Sequence, residues 1–269
     1  MTPFSFASTP EQQWAELEST NGGRLGVALI DVSTHAHRGY RETERFPLCS
    51  TVKLMVAAAV LKESMKDDQL LDKRVFYTQQ ELDASGYHPV TQQHLSDGMT
   101  IRELCAAALT ASDNGAMNLL LKQFNGVDFV NAFARSIGDN TFRLDRDEPD
   151  LNSAIPDDQR DTSTPEAMAT TLEKLIFGDI FGNSQREQLQ AWLKNNTTGE
   201  TRIRAGLPKD WVVGDKTGTG HYGTTNDIAI VWPPNGAPMI LAIYYTQDKP
   251  NAQPDESIIA AAARVLVSH

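Results

Sequence analysis

The chain has 269 residues, enough for one large globular unit or two closely packed lobes with a sizeable core. Its 40% hydrophobic and 7% aromatic residues are ordinary for a folded protein, and a formal net charge of −11 argues against nucleic acid and anionic membranes as partners. No run approaches the roughly 18 apolar residues of a membrane span.

Met1, Thr2 and Pro3 open the chain without the basic region and apolar core of an export signal. The expectation is a cytosolic chain, or one whose signal has been removed. Residues 10–20 read as a helix with Pro10 near its start, stopped by Asn21, Gly22 and Gly23. Arg24 to Val32 has strand character, Thr34 to Tyr40 reads as a turn, and a second short strand follows. Segments 50–64, 101–109, 114–123, 127–136, 165–177 and 184–194 carry apolar residues at helical spacing. Between them, residues 139–163 form a long irregular stretch, of the length that is usually functional. Strand patterns return over 211–218, 226–233 and 239–246, and a final helix covers 255–267. The chain therefore predicts a mixed lobe built from both termini (1–45 and 196–269), an all-helical lobe (46–195), and a site between them.

Four short motifs carry the candidate chemistry. Ser50 opens an apolar helix with Lys53 one turn further on, so both lie on one face near a helix N-terminus. A serine needs such a neighbour to lose its proton. Taken alone the pair also fits a capping serine and a solvated lysine, but a lysine entering a buried helix calls for a reason. Ser112-Asp113-Asn114 sits between two helices and also reads as a loop with a cap. Lys216-Thr217-Gly218 lies on a strand. Glu148-Pro149-Asp150-Leu151-Asn152 lies in the irregular stretch, where a carboxylate beside an amide could hold one water.

In this order, the four motifs resemble those of the class A serine β-lactamases. Longer runs at 142–146, 213–218 and 222–229 are similar to the cefotaxime-hydrolysing branch, and the resemblance covers nearly the whole chain. It implies an α+β fold with an antiparallel sheet flanked by helices plus a helical lobe, as in penicillin-binding proteins. It also implies a β-lactam-opening enzyme that is a monomer without cofactor, periplasmic or secreted. Ser50 would attack the lactam carbonyl, with its own N–H and that of Thr219 as oxyanion donors. Lys53 and Glu148 are the two candidate bases for acylation. Glu148, sharing a water with Asn152, is the base for deacylation. Ser112, helped by Lys216, would protonate the leaving nitrogen, and Asn114 would bind the side-chain amide of the substrate.

The substrate carboxylate is expected at Lys216, Thr217, Gly218 and Thr219. The resemblance also implies a further cation there, whose source varies among members. No arginine stands in 222–225 or 251–256, where many carry it, and Arg202 matches a third location used by some, while Arg204 reads as a solvated loop arginine. The resemblance further implies an Arg146–Asp161 ion pair clamping the loop, a cis Glu148–Pro149 bond, and Tyr87 at the mouth of the site. Residues 83–86 are one or two longer than usual. His221 at the edge would touch bulky substrate side chains or face solvent. Cys49 and Cys105 each lack the partner that bridged relatives carry, at Gly220 and Ala57, so two free thiols are expected. Six scattered histidines favour no metal, and His35 and His37 are expected in the hairpin turn. Gly220 and Thr219 are compatible with oxyimino-cephalosporins. A penicillin-binding transpeptidase or carboxypeptidase, or a β-lactam sensor that stays acylated, shares the serine chemistry but not the role of Glu148.

Overall fold

The computed structural model describes residues 8–268; Met1, Thr2 and Pro3, read above for an export signal, lie outside the described residues. Helix α1 (Pro10–Asn21) begins where Thr9 and Gln12 cap each other reciprocally, with Pro10 in the first turn. Strands β1 (Arg24–Asp31) and β2 (Ala36–Tyr40) follow, then the two-residue β3 (Phe46–Pro47). A 3-10 turn at Cys49–Thr51 leads into α2 (Val52–Ser64). Next come β4 (Arg74–Val75), α3 (Gln79–Asp83), β5 (Met99–Thr100), α4 (Ile101–Thr110), α5 (Asn114–Gln123) and α6 (Gly126–Ser136). The irregular stretch holds only a 3-10 turn at Asp150–Ser153 and β6 (Thr162–Ser163). The chain closes with α7 (Pro165–Phe177), α8 (Asn183–Lys194), α9 (Ile203–Gly206), β7 (Val212–Thr219), β8 (Thr225–Trp232), β9 (Met239–Thr246) and α10 (Glu256–Arg264).

The main sheet runs β2-β1-β9-β8-β7, antiparallel throughout. Residues 239–245 of β9 and 228–232 of β8 read as unbroken apolar runs because both faces of the sheet are covered there. Along β9, Ile240, Ala242 and Tyr244 face one core, shared with α2, α4, α5 and α7. Leu241, Ile243 and Tyr245 face the other, shared with Trp14 of α1 and Ile258 and Ile259 of α10. Helix α2 is the hub of the first core: every residue from Val52 to Leu61 is buried, which explains its lack of a polar face.

Two expectations need correction. The hairpin turn is shorter than 34–40: β2 already begins at Ala36, so His35 lies in the turn and His37 in the strand. As an edge strand with three exposed residues at its start, β2 lacks the buried alternation that would mark it, and it is held by backbone pairing to β1. The last helix is α-helical only to Arg264 and continues as a 3-10 turn, Val265–Ser268. Cys49 and Cys105 are both buried and unbridged.

Candidate active site

Ser50 lies in the 3-10 turn ahead of α2, and the residue before it, Cys49, has φ +46°, a left-handed conformation rare outside glycine. The turn faces the end of β7. A Cβ on Gly218 would stand 2.8 Å from Leu48 O and 3.2 Å from Ser50 N, so only glycine lets the strand pass this close. Lys53, one turn along α2, is fully buried. Its Nζ donates to Ser50 Oγ (2.9 Å), Asn114 Oδ1 (2.6 Å) and Ser112 O (2.9 Å), and stands 2.8 Å from Glu148 Oε1. Ser50 Oγ is itself 3.5 Å from Glu148 Oε1.

Ser112 also has a left-handed backbone, φ +56°. This residue links two lysines: Lys53 Nζ is 3.4 Å and Lys216 Nζ 3.1 Å from its Oγ. Asp113 caps α5 by accepting from Ala116 N, and it also accepts from Val90 N and Thr91 N. Asn114 is thereby fixed at the start of the helix, with its Nδ2 donating to Ser85 O and its backbone N to Tyr87 O. Burial, then the charge of Lys53, hold Lys216 well below the usual lysine range.

Glu148 is brought in by the irregular loop, and the Glu148–Pro149 bond is cis. Asn152 Nδ2 donates to Glu148 Oε2, while Asn152 Oδ1 has no partner in the protein. Asp161 clamps the loop base: it accepts from Arg146 Nε (2.7 Å) and from the backbone N–H groups of Asp145 and Arg146. The loop is also pinned to the sheet, because His221 N donates to Asn152 O. A Cβ on Gly220 would meet Cys49 Sγ at 2.5 Å and Asn152 O at 2.8 Å.

Arg202 is buried, and the protein takes all five of its N–H donors. Nη1 donates to Gly218 O (2.8 Å) and Asn226 O (2.7 Å), and Nη2 to Thr219 Oγ1 (2.7 Å). Nε and Nη2 both reach Glu256 Oε1. The guanidinium thus sits behind Thr219 and not as a free cation. Arg204 is not solvated as expected: its Nε donates to Asp215 Oδ1 at 2.6 Å, because that carboxylate is fully buried and needs a counter-charge. Burial raises the Asp215 carboxyl above its ordinary range despite Arg204, and burial plus the Asp215 charge push Asp227 up further.

Ser50, Tyr87, Ser112, Asn114, Asn152, Arg202, Thr217, Gly218 and Thr219 line one cavity of about 350 Å3, joined by Thr198 and Glu256. Tyr87 forms its rim at 59% exposure. His221 lies outside it, in an adjoining cavity of about 630 Å3 that shares Asn152 and Thr219. Among the described residues, no cluster of three or more His, Cys, Asp or Glu is arranged to hold a metal.

Sequence reasoning missed two neighbours. Asn118 donates from Nδ2 to Glu148 O (2.8 Å) and accepts from Glu148 N (3.0 Å), fixing the backbone of the loop carboxylate. Its signal was available: Asn118 is four residues after Asn114, on the same face of α5. Glu256 lay in a stretch read for a missing arginine and for the start of the last helix.

The profile of the beta-lactamase enzyme family matches residues 9–269. The chain belongs to this family. It is 54% identical to β-lactamase CTX-M-97 of Escherichia coli over 260 residues, which are 97% of this chain and 89% of the relative. With β-lactamase OXY-2 of Klebsiella oxytoca it shares 54% identity over 255 residues, 95% of this chain and 87% of the relative. Among solved structures, a β-lactamase from Desulfarculus baarsii superposes with a TM-score of 0.94 at 47% identity, covering 96% of each chain. An ancestral class A β-lactamase gives 0.93 at 51% identity, covering 97% of this chain and 99% of that one. No described helix is long and apolar enough to cross a membrane.

Proposed function

We propose that this chain hydrolyses the amide bond of β-lactam rings through an ester on Ser50, as a class A β-lactamase. The observation that carries the reading is the meeting of Ser50 Oγ, Lys53 Nζ and Glu148 Oε1 within 3.5 Å of one another, with Ser50 lining a small-molecule-sized cavity and the other two buried behind it.

Ser50 Oγ attacks the lactam carbonyl carbon, and its proton passes to Glu148, directly or by way of Lys53. Negative charge on the carbonyl oxygen is received by the backbone N–H groups of Ser50 and Thr219. Donors fixed in advance are worth about 3 kcal/mol each to such a step. The C–N bond then breaks, and the proton held by Glu148 passes by way of Lys53 Nζ and the Ser112 hydroxyl to the nitrogen, with Lys216 Nζ beside that hydroxyl, so that Glu148 is again a carboxylate. In the second half, Glu148 takes a proton from water as that water attacks the ester carbonyl. The unpartnered Asn152 Oδ1 is the second acceptor that orients it. Collapse returns the proton to Ser50 Oγ and releases the acid.

Lys216, Thr217, Gly218 and Thr219 receive the carboxylate beside the ring, with Arg202 supporting Thr219 from behind. Asn114 binds the acyl side-chain amide, while Tyr87 and His221 border the space for larger groups. Gly220 and Thr219 are compatible with oxyimino-cephalosporins, and the 54% identity to a CTX-M enzyme supports that breadth. We extend to this chain its family's habits of acting as a monomer, outside the cytoplasm or in the periplasm, without cofactor, so that it confers β-lactam resistance.

The test is turnover of nitrocefin by the purified chain, with intact-mass spectrometry of a Glu148→Ala variant. Multiple turnover by the parent and a trapped ester on the variant are expected. A single burst without turnover would overturn the reading in favour of a penicillin-binding protein or sensor.

A further inference from the structure

Arg202 is the one basic residue among the described residues that line the Ser50 cavity, yet the fork edge of its guanidinium is already taken. Glu256, at the first position of α10, accepts from Nε at 3.2 Å and from Nη2 at 3.1 Å. Those two donors form the fork edge that matches a carboxylate. Thr201 Oγ1 donates to the other Glu256 oxygen. The Glu256 side chain is 39% exposed and lines the same cavity as Ser50, Thr217 and Thr219. Burial works against its ionisation, but the Thr201 hydrogen bond and the Arg202 charge outweigh it and hold the acid below its ordinary range. A resident anion therefore sits where an incoming anion would look for a partner.

We propose that Glu256 is a specificity-determining residue: its carboxylate competes with the carboxylate of the substrate for Arg202 and weakens the hold of the cleft on anionic β-lactams. The other nearby cations do not cancel it. Lys53 is matched by Glu148, and Lys216 Nζ is buried and directed at Ser112 Oγ and Thr217 O. Arg202 still contributes through Thr219. By donating to Thr219 Oγ1 it leaves that hydroxyl free to turn its own hydrogen into the cleft. The arrangement favours selection by shape and by the hydroxyls of Thr217 and Thr219 over selection by charge.

This inference rests on the β-lactamase reading for its substrate class, and the experiment separates the two. Glu256→Gln keeps the shape and one acceptor for Arg202 but removes the charge. The kcat/KM of a cephalosporin with a free ring carboxylate and of its methyl ester are compared in the parent and this variant. For two charges separated by several ångströms at a wet cavity wall, the acid is expected to gain about fivefold, through KM, and the ester to stay put. The gain should shrink as sodium chloride is raised. Equal changes for acid and ester, or no change for either, would overturn the proposal, since a merely structural pair does not distinguish them. Dissociation constants of the same two ligands in a Ser50→Ala background give the same comparison without turnover. Failure of the unaltered chain to turn over nitrocefin would strike the hydrolase reading and not the role of Glu256. Glu256→Ala removes the same charge and serves if the glutamine variant does not fold.

Discussion

Lys53 Nζ and Glu148 Oε1 lie 2.8 Å apart, and neither side chain reaches solvent. They come from parts of the chain 95 residues apart, one from the hub helix and one from an irregular loop. A buried ion pair of this kind is not a reliable source of stability, but its two members cannot be changed independently. A double-mutant cycle with Lys53→Ala and Glu148→Ala, read by urea unfolding, is expected to show a coupling of about 1–3 kcal/mol. Strict additivity would mean that the pair is not formed in solution.

Asn118 is expected to control the second half of the reaction more than the first. Its amide makes two hydrogen bonds to the Glu148 backbone, and Asn118→Ala removes both. At about 1 kcal/mol each, the loss amounts to about 2 kcal/mol. If all of it falls on placement of the base, deacylation slows about thirtyfold. Stopped-flow kinetics should then show acyl-enzyme building up to a larger steady-state fraction. Equal slowing of both steps would assign Asn118 to general stability of the fold.

The buried Asp227 gives a pH signature. Its Oδ2 accepts from Ile203 N, its Oδ1 has no partner, and burial raises its pKa well above the ordinary carboxylate range. In the window between the unfolded and folded pKa values the native state binds more protons than the unfolded chain. This group therefore contributes stability at acid pH that is lost as pH rises towards its folded pKa. Asp227→Asn has no proton to lose, so its stability relative to the parent should improve as pH rises from the ordinary carboxylate range towards the folded pKa of Asp227. A difference that stays constant with pH would show that Asp227 is ionised throughout.

Gly220 tests the contact between strand and loop. An added methyl group would overlap Cys49 Sγ and Asn152 O. Gly220→Ala is expected to lose about 1–3 kcal/mol, as overpacked sites do. Adding Cys49→Gly should recover only part of the loss, because the backbone oxygen of Asn152 remains. Full recovery would place the whole conflict at the sulfur atom.

Much of this arrangement was legible in the residues, and its limits are physical. The helices at 114–123 and 165–177 announce themselves by apolar spacing and by their caps, Asp113 and Thr164. Strand β9 up to Tyr245 and the second half of β8, residues 228–232, are unbroken apolar runs. Ser50 and Lys53 are local to one turn, so their spacing alone brings them together. What escaped depends on contacts between distant segments. Arg204 reads as a surface residue until Asp215 is seen buried against it. Glu256 reads as the opening residue of a helix until Arg202 is found 54 positions away. Strand β2 pairs through its backbone while exposing most of its side chains, so no pattern marks it. The four shortest strands, β3 to β6, have two residues each and carry no periodicity at all.

The hydrogen bond from His221 N to Asn152 O has a mechanical consequence. Two residues before His221 stands Thr219, whose N–H is assigned to the oxyanion, and Asn152 is the neighbour of the Glu148 carboxylate. Under the proposed mechanism, the fixture that grips the ring-opening intermediate and the one that aims the water are thus bolted to each other at a single joint. A load on the outer end of β7, such as a bulky acyl group wedged beside His221, would shift both tools at once. Adaptation to larger substrates in this chain should accordingly trade ester formation against ester release, and not improve either in isolation.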